Sequence, residues 1–330
     1  MTLHLIGDSI VQSYKTEEFI AGWGQYLPCY LEPDVQVLNH AKGGRSSRSF
    51  INEGRFEKAF EQVKAGEYVL IEFCHNDDAS KPYNTMVNRL VELGEPDEDG
   101  RYPIIPGERL DVKYIPPEFI EALNADESAK ETAEETIANA FLMLSEYPGE
   151  EYYPYSADAG MGSFKWFVKQ YVDEARERGA VPVLVTAPAR GFLDGQGKLA
   201  DGAGLHGGDD FCYIRAVRQL AQEMKVPVID LFEYSRGLYE DLGAEKVHYL
   251  MSVKCGCNEG VWPADYEAEV AKPSTVMENT HFNKYGACLL AREMARQIAD
   301  SREGQLAGLK ACVKADELDV VKEVPPKMLE

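Results

Sequence analysis

Four short blocks of polar residues along the chain hold the residue types that acyl transfer requires. Gly7-Asp8-Ser9 offers a hydroxyl after a glycine, and residues 39–48 include a glycine pair whose backbone N–H groups can approach a ligand closely. Cys74-His75-Asn76-Asp77 offers a side-chain amide, and Glu278-Asn279-Thr280-His281 offers a carboxylate and an imidazole. One chain therefore contains a nucleophile, donors for an oxyanion and an acid–base group.

The chemistry that these blocks predict is attack on an ester by a serine. The hydroxyl of Ser9 is a weak nucleophile near neutral pH, and His281 can accept its proton and return it to the leaving alcohol. We expect Glu278 on the same turn as His281, where it would fix the imidazole tautomer, although a backbone carbonyl is an alternative partner. The backbone N–H groups of Ser9 and Gly44 and the amide of Asn76 form the predicted oxyanion hole, in which each donor typically lowers the barrier by about 3 kcal/mol.

The elements that must position these blocks are strands and helices in alternation. Apolar runs predict five strands, at residues 3–6, 35–38, 68–73, 181–186 and 226–231. Amphipathic patterns predict one helix that begins after Ser163 and ends at Gly179, and two more over residues 210–224 and 284–299. Such alternation indicates a parallel sheet that is covered on both faces. The first three blocks then follow strands at the carboxyl edge, where open α/β sheets bind ligands.

One long segment interrupts this alternation. Residues 78–161 leave the sheet after the third strand, and their length far exceeds that of an ordinary strand-to-helix loop. Because strands resume afterwards, we interpret the segment as an insertion into a single domain of residues 1–303, as a lid, a cleft wall or a contact with a second copy of the chain. It contains a predicted helix over residues 126–147 and a tyrosine-rich stretch at 152–155. Residues 304–330 are interpreted as a polar tail that is partly disordered.

The overall charge narrows the range of partners. Lys and Arg number 34 and Asp and Glu number 56, so the formal net charge is -22. Such a field repels nucleic acid and anionic membranes, and neither is expected as a partner. The sequence also has no run that approaches the roughly 20 apolar residues of a membrane span.

The cysteines and the first residues of the chain indicate the cellular compartment in which we expect the protein. The seven cysteines are odd in number and dispersed, which is typical of free thiols in a reducing compartment. The chain starts without a charged stretch followed by a long apolar one. We therefore expect a cytoplasmic protein, the alternative being a secreted protein whose signal peptide has been removed. Cys255-Gly256-Cys257 has no second Cys/His pair at ligand spacing, so no metal site is predicted.

In this order, the four blocks resemble the consensus blocks of the SGNH (GDSL-type) hydrolases. That name lists the serine, glycine, asparagine and histidine that are matched by Ser9, Gly44, Asn76 and His281. The surrounding residues are similar to the rhamnogalacturonan acetylesterase branch, carbohydrate esterase family 12. The matching stretches are Gly22-Trp23-Gly24-Gln25, Gly44-Arg45-Ser46-Ser47-Arg48-Ser49, Glu72-Phe73-x-His75-Asn76-Asp77 and Asn279-Thr280-His281-Phe282-Asn283-x-Tyr285-Gly286. The resemblance covers most of residues 1–77 and 162–300, without the insertion or the tail.

The resemblance implies a three-layer α/β/α sandwich with five parallel strands in the flavodoxin-like order of the SGNH hydrolase fold. It implies a carboxylic ester hydrolase that forms an acyl-enzyme and uses no metal and no organic cofactor. The implied substrate is an acetylated oligosaccharide, derived from pectin (rhamnogalacturonan-type) or from hemicellulose. Two positions depart from the family pattern, with Glu278 in place of aspartate and Cys74 in place of glycine. A glutamate keeps the charge of the triad acid and changes its reach.

Three side chains on predicted loops at the active edge are candidate substrate ligands: Arg45, Arg190 and His206. They would contact sugar hydroxyls or a uronate, and the alternative is that they are solvated or anchor their loops. The start of the insertion, close behind Asn76, predicts that part of it borders the Ser9 pocket and restricts the pocket to short or terminal saccharide units.

Two other functions stay open from the sequence. A lipid or thioester acylhydrolase of the lysophospholipase kind uses the same triad and would need a long apolar trough for the acyl chain. A non-catalytic carbohydrate-binding protein could keep the four blocks only as part of its fold.

Overall fold

A parallel sheet lies at the centre of the molecule. The computed structural model describes residues 1–15, 20–77, 89, 91–107, 162–200, 211–254 and 276–320, with the backbone alone at 253–254 and 276–278. The sheet consists of β1 (Thr2–Gly7), β2 (Gln36–Asn39), β3 (Tyr68–Glu72), β4 (Val181–Thr186) and β5 (Val228–Asp230). Its strand order is β2-β1-β3-β4-β5, and all of its strand pairs are parallel. The predicted α/β fold with its five-stranded sheet is confirmed.

The register of the strands brings the predicted blocks to one edge. Gly7 at the end of β1 is the partner of Glu72 at the end of β3, and Thr186 at the end of β4 is the partner of Asp230. Every residue of β3 is buried, as expected of a strand with helices over both faces. Because parallel strands end at the same edge, the loops that follow β1, β2, β3 and β4 leave the sheet side by side.

Helices cover the sheet and connect its strands. The described residues form α1 (Trp23–Tyr26), α2 (Ser47–Asn52), α3 (Arg55–Phe60), α4 (Phe164–Glu177), α5 (Cys212–Met224), α6 (Leu231–Leu242), α7 (Ala244–Val247), α8 (Lys284–Asp300) and α9 (Ala307–Lys310). Short 3-10 turns lie at Leu27–Tyr30, His248–Leu250, Gly304–Leu306 and Ala315–Glu317. The three predicted amphipathic helices correspond to α4, α5 and α8 and are confirmed within a few residues at each end.

Helix α4 links the sheet to the second polar block. Its buried residues recur at helical spacing, and it ends before Gly179, whose φ of 73° suits a glycine. The hydroxyl of Tyr171 donates a hydrogen bond to the carbonyl oxygen of Ser47 at 2.7 Å. The ring of Tyr171 packs against those of Phe50 and Phe73. These contacts fix α2, which follows the glycine loop, against the core.

Two further strands lie outside the central sheet. β6 (Met251–Lys254) and β7 (Val276–Phe282) form an antiparallel pair that the sequence did not predict. Strand β7 also bridges to the segment before α1, where the Ala21 N–H donates to the carbonyl oxygen of Phe282 at 2.8 Å. The last polar block therefore reaches the site on a hairpin.

The described part of the insertion is tied to the domain at both ends. The Val91 N–H donates to the Asp77 carbonyl oxygen at 3.1 Å, which brings the chain back to the loop after β3. The Ser163 N–H donates to the Ile105 carbonyl oxygen at 3.0 Å, and the Ser163 hydroxyl donates to the Pro103 carbonyl oxygen at 2.8 Å. The predicted helix over residues 126–147 and the tyrosines at 152–155 lie outside the described residues.

The start of the C-terminal tail packs on the domain. Leu306 and Leu309 are buried, and Val313 forms a β-bridge with Leu31. Residues 304–320 of the predicted tail therefore pack against the domain, because this polar stretch contains apolar residues that have a surface to pack against; residues 321–330 lie outside the described residues. Among the helices that the structure describes, none is long and apolar enough to cross a membrane.

Candidate active site

The turn after β1 presents Ser9 at the edge of the sheet. Asp8 organises this turn, because its Oδ1 accepts from the Ile10 N–H at 2.9 Å and its carbonyl oxygen accepts from two further N–H groups of the turn. Gly7 has no room for a side chain, since a Cβ there would lie 2.6 Å from the Glu72 carbonyl oxygen. The tight approach of β1 and β3 thus requires glycine, and Ser9 follows two residues later and is 6% exposed.

The hydroxyl and the imidazole that acyl transfer needs are in contact. His281 Nε2 lies 3.0 Å from Ser9 Oγ, although 272 residues separate them along the chain. At this distance the imidazole can take the serine proton directly, without an intervening water. The structure therefore brings together the two residues that the sequence assigned as nucleophile and base.

Strand β7, which carries His281, is held by backbone contacts on either side of that residue. The Ala21 N–H donates to the carbonyl oxygen of Phe282 at 2.8 Å. The Gly191 N–H, from the loop after β4, donates to the carbonyl oxygen of Asn279 at 2.7 Å. These bonds place the imidazole over the nucleophile turn.

Asn283 anchors the end of β7 with four hydrogen bonds. Its Nδ2 donates to the carbonyl oxygens of Tyr249 at 2.7 Å and Met251 at 3.1 Å. Its Oδ1 accepts from the N–H groups of Tyr285 at 2.9 Å and Gly286 at 3.1 Å, and so caps helix α8. One fully buried side chain thus fixes both the hairpin and the helix that follows His281.

Glu278 and His281 lie in an irregular part of β7. Met277 pairs with Val253 and Phe282 pairs with Met251, and the register shifts between these two pairs, so residues 278–281 form a bulged stretch of the strand. The side chain of Glu278 lies outside the described residues, and its role as the partner of His281 stays a prediction.

The loop after β2 brings two glycines against the nucleophile. The Gly43 N–H donates to Gln12 Oε1, and a Cβ on Gly43 would lie 3.5 Å from the Cβ of Ser9. Gly44 has a φ of 77°, in the left-handed region that favours glycine. This backbone conformation explains why the second block needs a glycine at position 44.

Two backbone donors point to an oxyanion hole beside Ser9. Within the described part of the chain, the N–H groups of Ser9 and Gly44 donate to no protein acceptor. Most backbone N–H groups of a folded protein are paired, so two such donors flanking one serine hydroxyl are unusual. They are the same two backbone donors that the sequence assigned to the oxyanion.

Asn76, the third predicted donor, lies between the first two blocks. Its Nδ2 donates to Asp8 Oδ2 and to the carbonyl oxygen of Arg45, each at 3.2 Å. Both distances are at the long end of the normal range, so both bonds are weak. The amide is thus oriented by the first and second blocks and can give one hydrogen to a stronger acceptor.

The predicted substrate ligands lie in different surroundings. The guanidinium of Arg45 is 1% exposed and donates to Glu53 Oε2 at 2.9 Å and to the carbonyl oxygen of Gly43 at 2.8 Å, so it braces the glycine loop. Arg190 is 6% exposed and donates to the carbonyl oxygen of His75 at 3.1 Å. His206 lies outside the described residues.

A cation that the sequence did not single out lies on the glycine loop. Arg89, from the insertion, is 3% exposed, and its Nη2 lies 2.7 Å from the position that a Cβ on Gly44 would occupy. Since a carbon–carbon bond is about 1.5 Å long, Nη2 is within about 4 Å of the Gly44 Cα. No sequence signal distinguishes Arg89 from other charged residues of the insertion, because its position depends on how that segment folds back.

Two fully buried carboxyl groups lie behind Ser9. Burial raises the pKa of Asp8 to about 6, although the Ile10 N–H and the charge of His281 act to lower it. Burial also raises the pKa of Glu72, and the charge of Asp8 raises it further, while a hydrogen bond from the Trp23 indole lowers it. Glu72 and Trp23 belong to stretches that matched the family, but their types alone gave no reason to pair them.

Metal ligands do not cluster in the described residues. No group of three His, Cys, Asp or Glu side chains among them is arranged to hold a metal ion. Cys255 and Cys257 lie outside these residues.

Comparison with known proteins places the chain among esterases. The model of the GDSL-like lipase/acylhydrolase family matches residues 5–252. The chain is 28% identical over 298 residues to the probable rhamnogalacturonan acetylesterase YesY of Bacillus subtilis, covering 90% of this chain and 92% of that protein. It is 29% identical over 297 residues to the rhamnogalacturonan acetylesterase RhgT of the same organism, covering 90% and 88%.

A solved structure shares the fold. The crystal structure of the Bacillus subtilis protein YxiM superimposes with a TM-score of 0.52 and 20% identity. The match covers 90% of this chain and 55% of that chain, so the present chain spans about half the length of YxiM.

Proposed function

Because this chain belongs to the GDSL-like lipase/acylhydrolase family, we propose that it is a serine esterase that removes acetyl groups from carbohydrates. The observation that carries the proposal is the 3.0 Å contact between His281 Nε2 and Ser9 Oγ. A nucleophile and base in contact, next to two backbone N–H groups with no described acceptor, suit ester hydrolysis.

Acylation begins at the serine hydroxyl. Ser9 Oγ attacks the carbonyl carbon of the acetyl ester while its proton passes to His281 Nε2, and the carbonyl electron pair moves onto the oxygen. When the tetrahedral intermediate collapses, the bond from carbon to the sugar oxygen breaks. The imidazolium of His281 returns the proton to that oxygen, which leaves as a free sugar hydroxyl, and Ser9 carries the acetyl group.

Deacylation repeats these steps with water as the nucleophile. His281 removes a proton from the water, whose oxygen attacks the acetyl-serine carbonyl carbon. The second tetrahedral intermediate collapses, the bond to Ser9 Oγ breaks, and the proton returns from His281 to the serine. Acetic acid leaves, and it ionises to acetate near neutral pH.

The oxyanion of both intermediates is stabilised by three donors. The N–H groups of Ser9 and Gly44 are available without rearrangement, and each such donor typically contributes about 3 kcal/mol. Asn76 contributes by breaking its hydrogen bond to the Arg45 carbonyl oxygen and donating the same N–H to the oxyanion. An ionised acceptor makes hydrogen bonds roughly twice as strong as a neutral one, so the exchange is favourable only when the oxyanion forms.

Glu278 is proposed as the group that orients His281. A carboxylate at the other imidazole nitrogen would hold the proton there and leave Nε2 as the acceptor of the Ser9 proton. It would also stabilise the imidazolium that forms during acylation. Side chains three residues apart in a regular strand point to opposite faces, but Glu278 and His281 lie where the register of β7 shifts, and this irregularity permits the role.

The substrate class is proposed from the relatives and from the charge. YesY and RhgT are named as rhamnogalacturonan acetylesterases, so we propose an acetylated oligosaccharide of that type, or of hemicellulose. The net charge of -22 disfavours non-specific binding to a polyanionic polymer, which favours short saccharides over bulk pectin. Arg190 and His206 stay candidate ligands for the sugar, while Arg45 is engaged by its own loop.

The insertion is proposed as a wall of the substrate cleft. Arg89 shows the insertion close to Gly44, which is itself a proposed oxyanion donor. A segment that reaches this point leaves less room for a saccharide chain that extends past the acetyl group on that side. We therefore propose that the site accepts short or terminal saccharide units.

Acetate release from a panel of substrates tests the function. The panel contains acetylated rhamnogalacturonan oligosaccharides, acetylated xylo-oligosaccharides and the parent polymers, together with p-nitrophenyl acetate and octanoate. We expect release from short saccharides to exceed release from the polymers, and the acetate ester to be cleaved far better than the octanoate, because an acetyl-specific site is small. The Ser9→Ala variant serves as the background control.

Three results would contradict the proposal in different ways. A preference for the octanoate would indicate a lipid acylhydrolase. Equal release from polymers and short saccharides would show that the insertion does not restrict the site to short saccharides. Activity on no ester, with binding of saccharides retained, would indicate a carbohydrate-binding protein.

A further inference from the structure

Glu72 and Asp8 form a pair of carboxyl groups behind the nucleophile turn, and both residues are 0% exposed. Glu72 is the register partner of Gly7, the residue before Asp8, so the two acids end neighbouring strands at the same level. Trp23 connects them to the turn: its indole Nε1 donates to Glu72 Oε2 at 2.6 Å, and its backbone N–H donates to the Ile10 carbonyl oxygen at 2.8 Å. The pair is therefore part of the framework that positions Ser9.

The two carboxyl groups have unequal hydrogen-bond partners. Asp8 accepts from the Ile10 N–H at 2.9 Å and from Asn76 Nδ2 at 3.2 Å, with one bond to each oxygen. Glu72 accepts from Trp23 on Oε2 alone, and its Oε1 has no hydrogen-bond partner among the described residues. A buried carboxylate oxygen without a donor is far more costly than a neutral hydroxyl in the same place.

The charges that face the two carboxyl groups favour ionisation of Asp8 over ionisation of Glu72. Asp8 is close to Arg190 from the loop after β4, whose charge stabilises its anion, and to His281 from β7, which adds to this effect when the imidazolium forms. Glu72 is close to the negative charge of Asp8, which opposes its ionisation. Two adjacent buried carboxylates do not both ionise readily, so one of them keeps its proton.

We propose that Glu72 is a positioning residue that stays the neutral acid, leaving Asp8 as the single negative charge behind Ser9. The charged Asp8 then holds Asn76 through Nδ2 and keeps its amide aimed at the oxyanion. Protonation at Glu72 Oε1 also preserves the hydrogen bond from Trp23 to Oε2, so the turn keeps its support. Glu72 thus acts on the reaction through Asp8 and Asn76, without touching the substrate.

Kinetics with two substitutions give the first test, which rests on the esterase activity proposed above. Glu72→Ala removes the support of the turn, and we expect kcat for p-nitrophenyl acetate to fall by more than about tenfold with KM changed less than about threefold. Glu72→Gln has the shape of the neutral acid, and we expect it to restore kcat to within about threefold of wild type. A Glu72→Gln variant with the melting temperature of wild type and the activity of Glu72→Ala would overturn the proposal.

Infrared spectroscopy gives a second test that does not depend on activity. A protonated carboxylic acid has a carbonyl stretch that is distinct from that of a carboxylate. In wild type we expect one such signal to persist at pH 8 and to vanish in Glu72→Gln. A second signal should appear as the pH falls through about 6, the pKa of Asp8, and vanish in Asp8→Asn. The spectrum is needed because a kinetic pH profile reports the combined titration of interacting groups and does not isolate one of them.

Glu53→Gln is the matched control for the spectra. The side chain of Glu53 is also buried, but its Oε2 contacts the guanidinium groups of Arg45 and Arg55 at 2.9 and 2.8 Å, whereas Glu72 faces another carboxyl group. Its substitution should remove no protonated-acid signal. If wild type shows no signal at pH 8, or if that signal survives in Glu72→Gln, Glu72 is not the neutral acid. If the signals behave as expected and no ester is cleaved, the assignment of the proton stands while the proposed function fails.

Discussion

Ser9 and His281 reach the same point from two regions of the molecule that are held in different ways. The nucleophile side consists of the loops that leave β1, β2 and β3, which the parallel sheet places next to one another. Side chains cross-link these loops: Asn76 joins Asp8 to the Arg45 carbonyl oxygen, and Asp77 Oδ1 accepts from both the N–H and the hydroxyl of Ser47. Several contacts therefore fix each loop.

The base side is a hairpin outside the central sheet. β6 and β7 pair with each other, and hydrogen bonds that join the end of β7 to the domain involve Ala21, Gly191 and the buried side chain of Asn283. From this difference we expect the nucleophile side to keep its shape when one contact is lost, and the position of His281 to be more sensitive to the loss of one anchor. Substitutions on the two sides should therefore differ in how stability and activity change together.

Replacement of Ser9 should have the largest effect on kcat, and it tests whether Ser9 forms the acyl-enzyme. Ser9→Ala removes the oxygen that forms the acyl-enzyme, so we expect kcat to fall by about four orders of magnitude or more with the fold intact. Stopped assays of acetate release and the melting temperature measure the two effects. Ser13→Ala, at an exposed position four residues along the same segment, is the control and should keep wild-type activity. Retention of more than about a tenth of wild-type activity by Ser9→Ala would remove Ser9 from the mechanism.

The two sides also differ in how far the sequence predicted them. The strands before Ser9 and Asn76 are short apolar runs bounded by polar residues, so both their positions and their common edge followed from local pattern. The hairpin that carries His281 has no such signal, because Glu278-Asn279-Thr280-His281 is polar throughout and its strand pairs irregularly with β6. Antiparallel pairing of this kind is set by tertiary contacts that a single sequence does not display.

The sequence identified residues that lie together in the structure, and it predicted their contacts less well. Ser9, Gly44, Asn76 and His281 are brought together as the four blocks required. Arg45 was interpreted as a substrate ligand, yet burial and its bond to Gly43 make it part of the loop. Residue type alone does not distinguish a guanidinium that faces substrate from one that braces a backbone turn.

Substitution of Glu278, the proposed partner of His281, should have a smaller effect on kcat. Glu278→Gln keeps the size of the side chain and removes its charge, so the imidazolium of His281 loses its counter-charge. We expect kcat to fall by more than about tenfold, yet by less than in His281→Ala, with KM little changed. Glu303→Gln, at an exposed position, is the control for loss of one negative charge. Unchanged turnover in Glu278→Gln would show that another group orients His281, and the triad would reduce to a dyad.

Substitutions of Asn283 and Asn39 should have the smallest effect on kcat. They also give the sharpest test of the difference between the two sides. Asn283 Nδ2 donates to the carbonyl oxygens of Tyr249 and Met251 on the base side. On the nucleophile side, Asn39 Nδ2 donates to the Val11 carbonyl oxygen at 2.8 Å and to the hydroxyl of Ser13. Each ends a strand and joins it to a neighbouring loop, so the pair offers matched substitutions in the two regions.

We expect Asn283→Ser to keep the cap of α8 through its hydroxyl and to lose the donors to the two carbonyl oxygens. Leaving buried acceptors without partners costs about 1 to 3 kcal/mol each, so the melting temperature should fall. Because the anchor of β7 is lost two residues after His281, kcat should fall several-fold as well. Asn39→Ser should lower the melting temperature with little change in kcat, since the other cross-links between the loops remain. Plotting kcat against melting temperature for both variants decides the matter: if they fall on one line, the two sides are equally constrained and the contrast between sheet edge and hairpin is wrong.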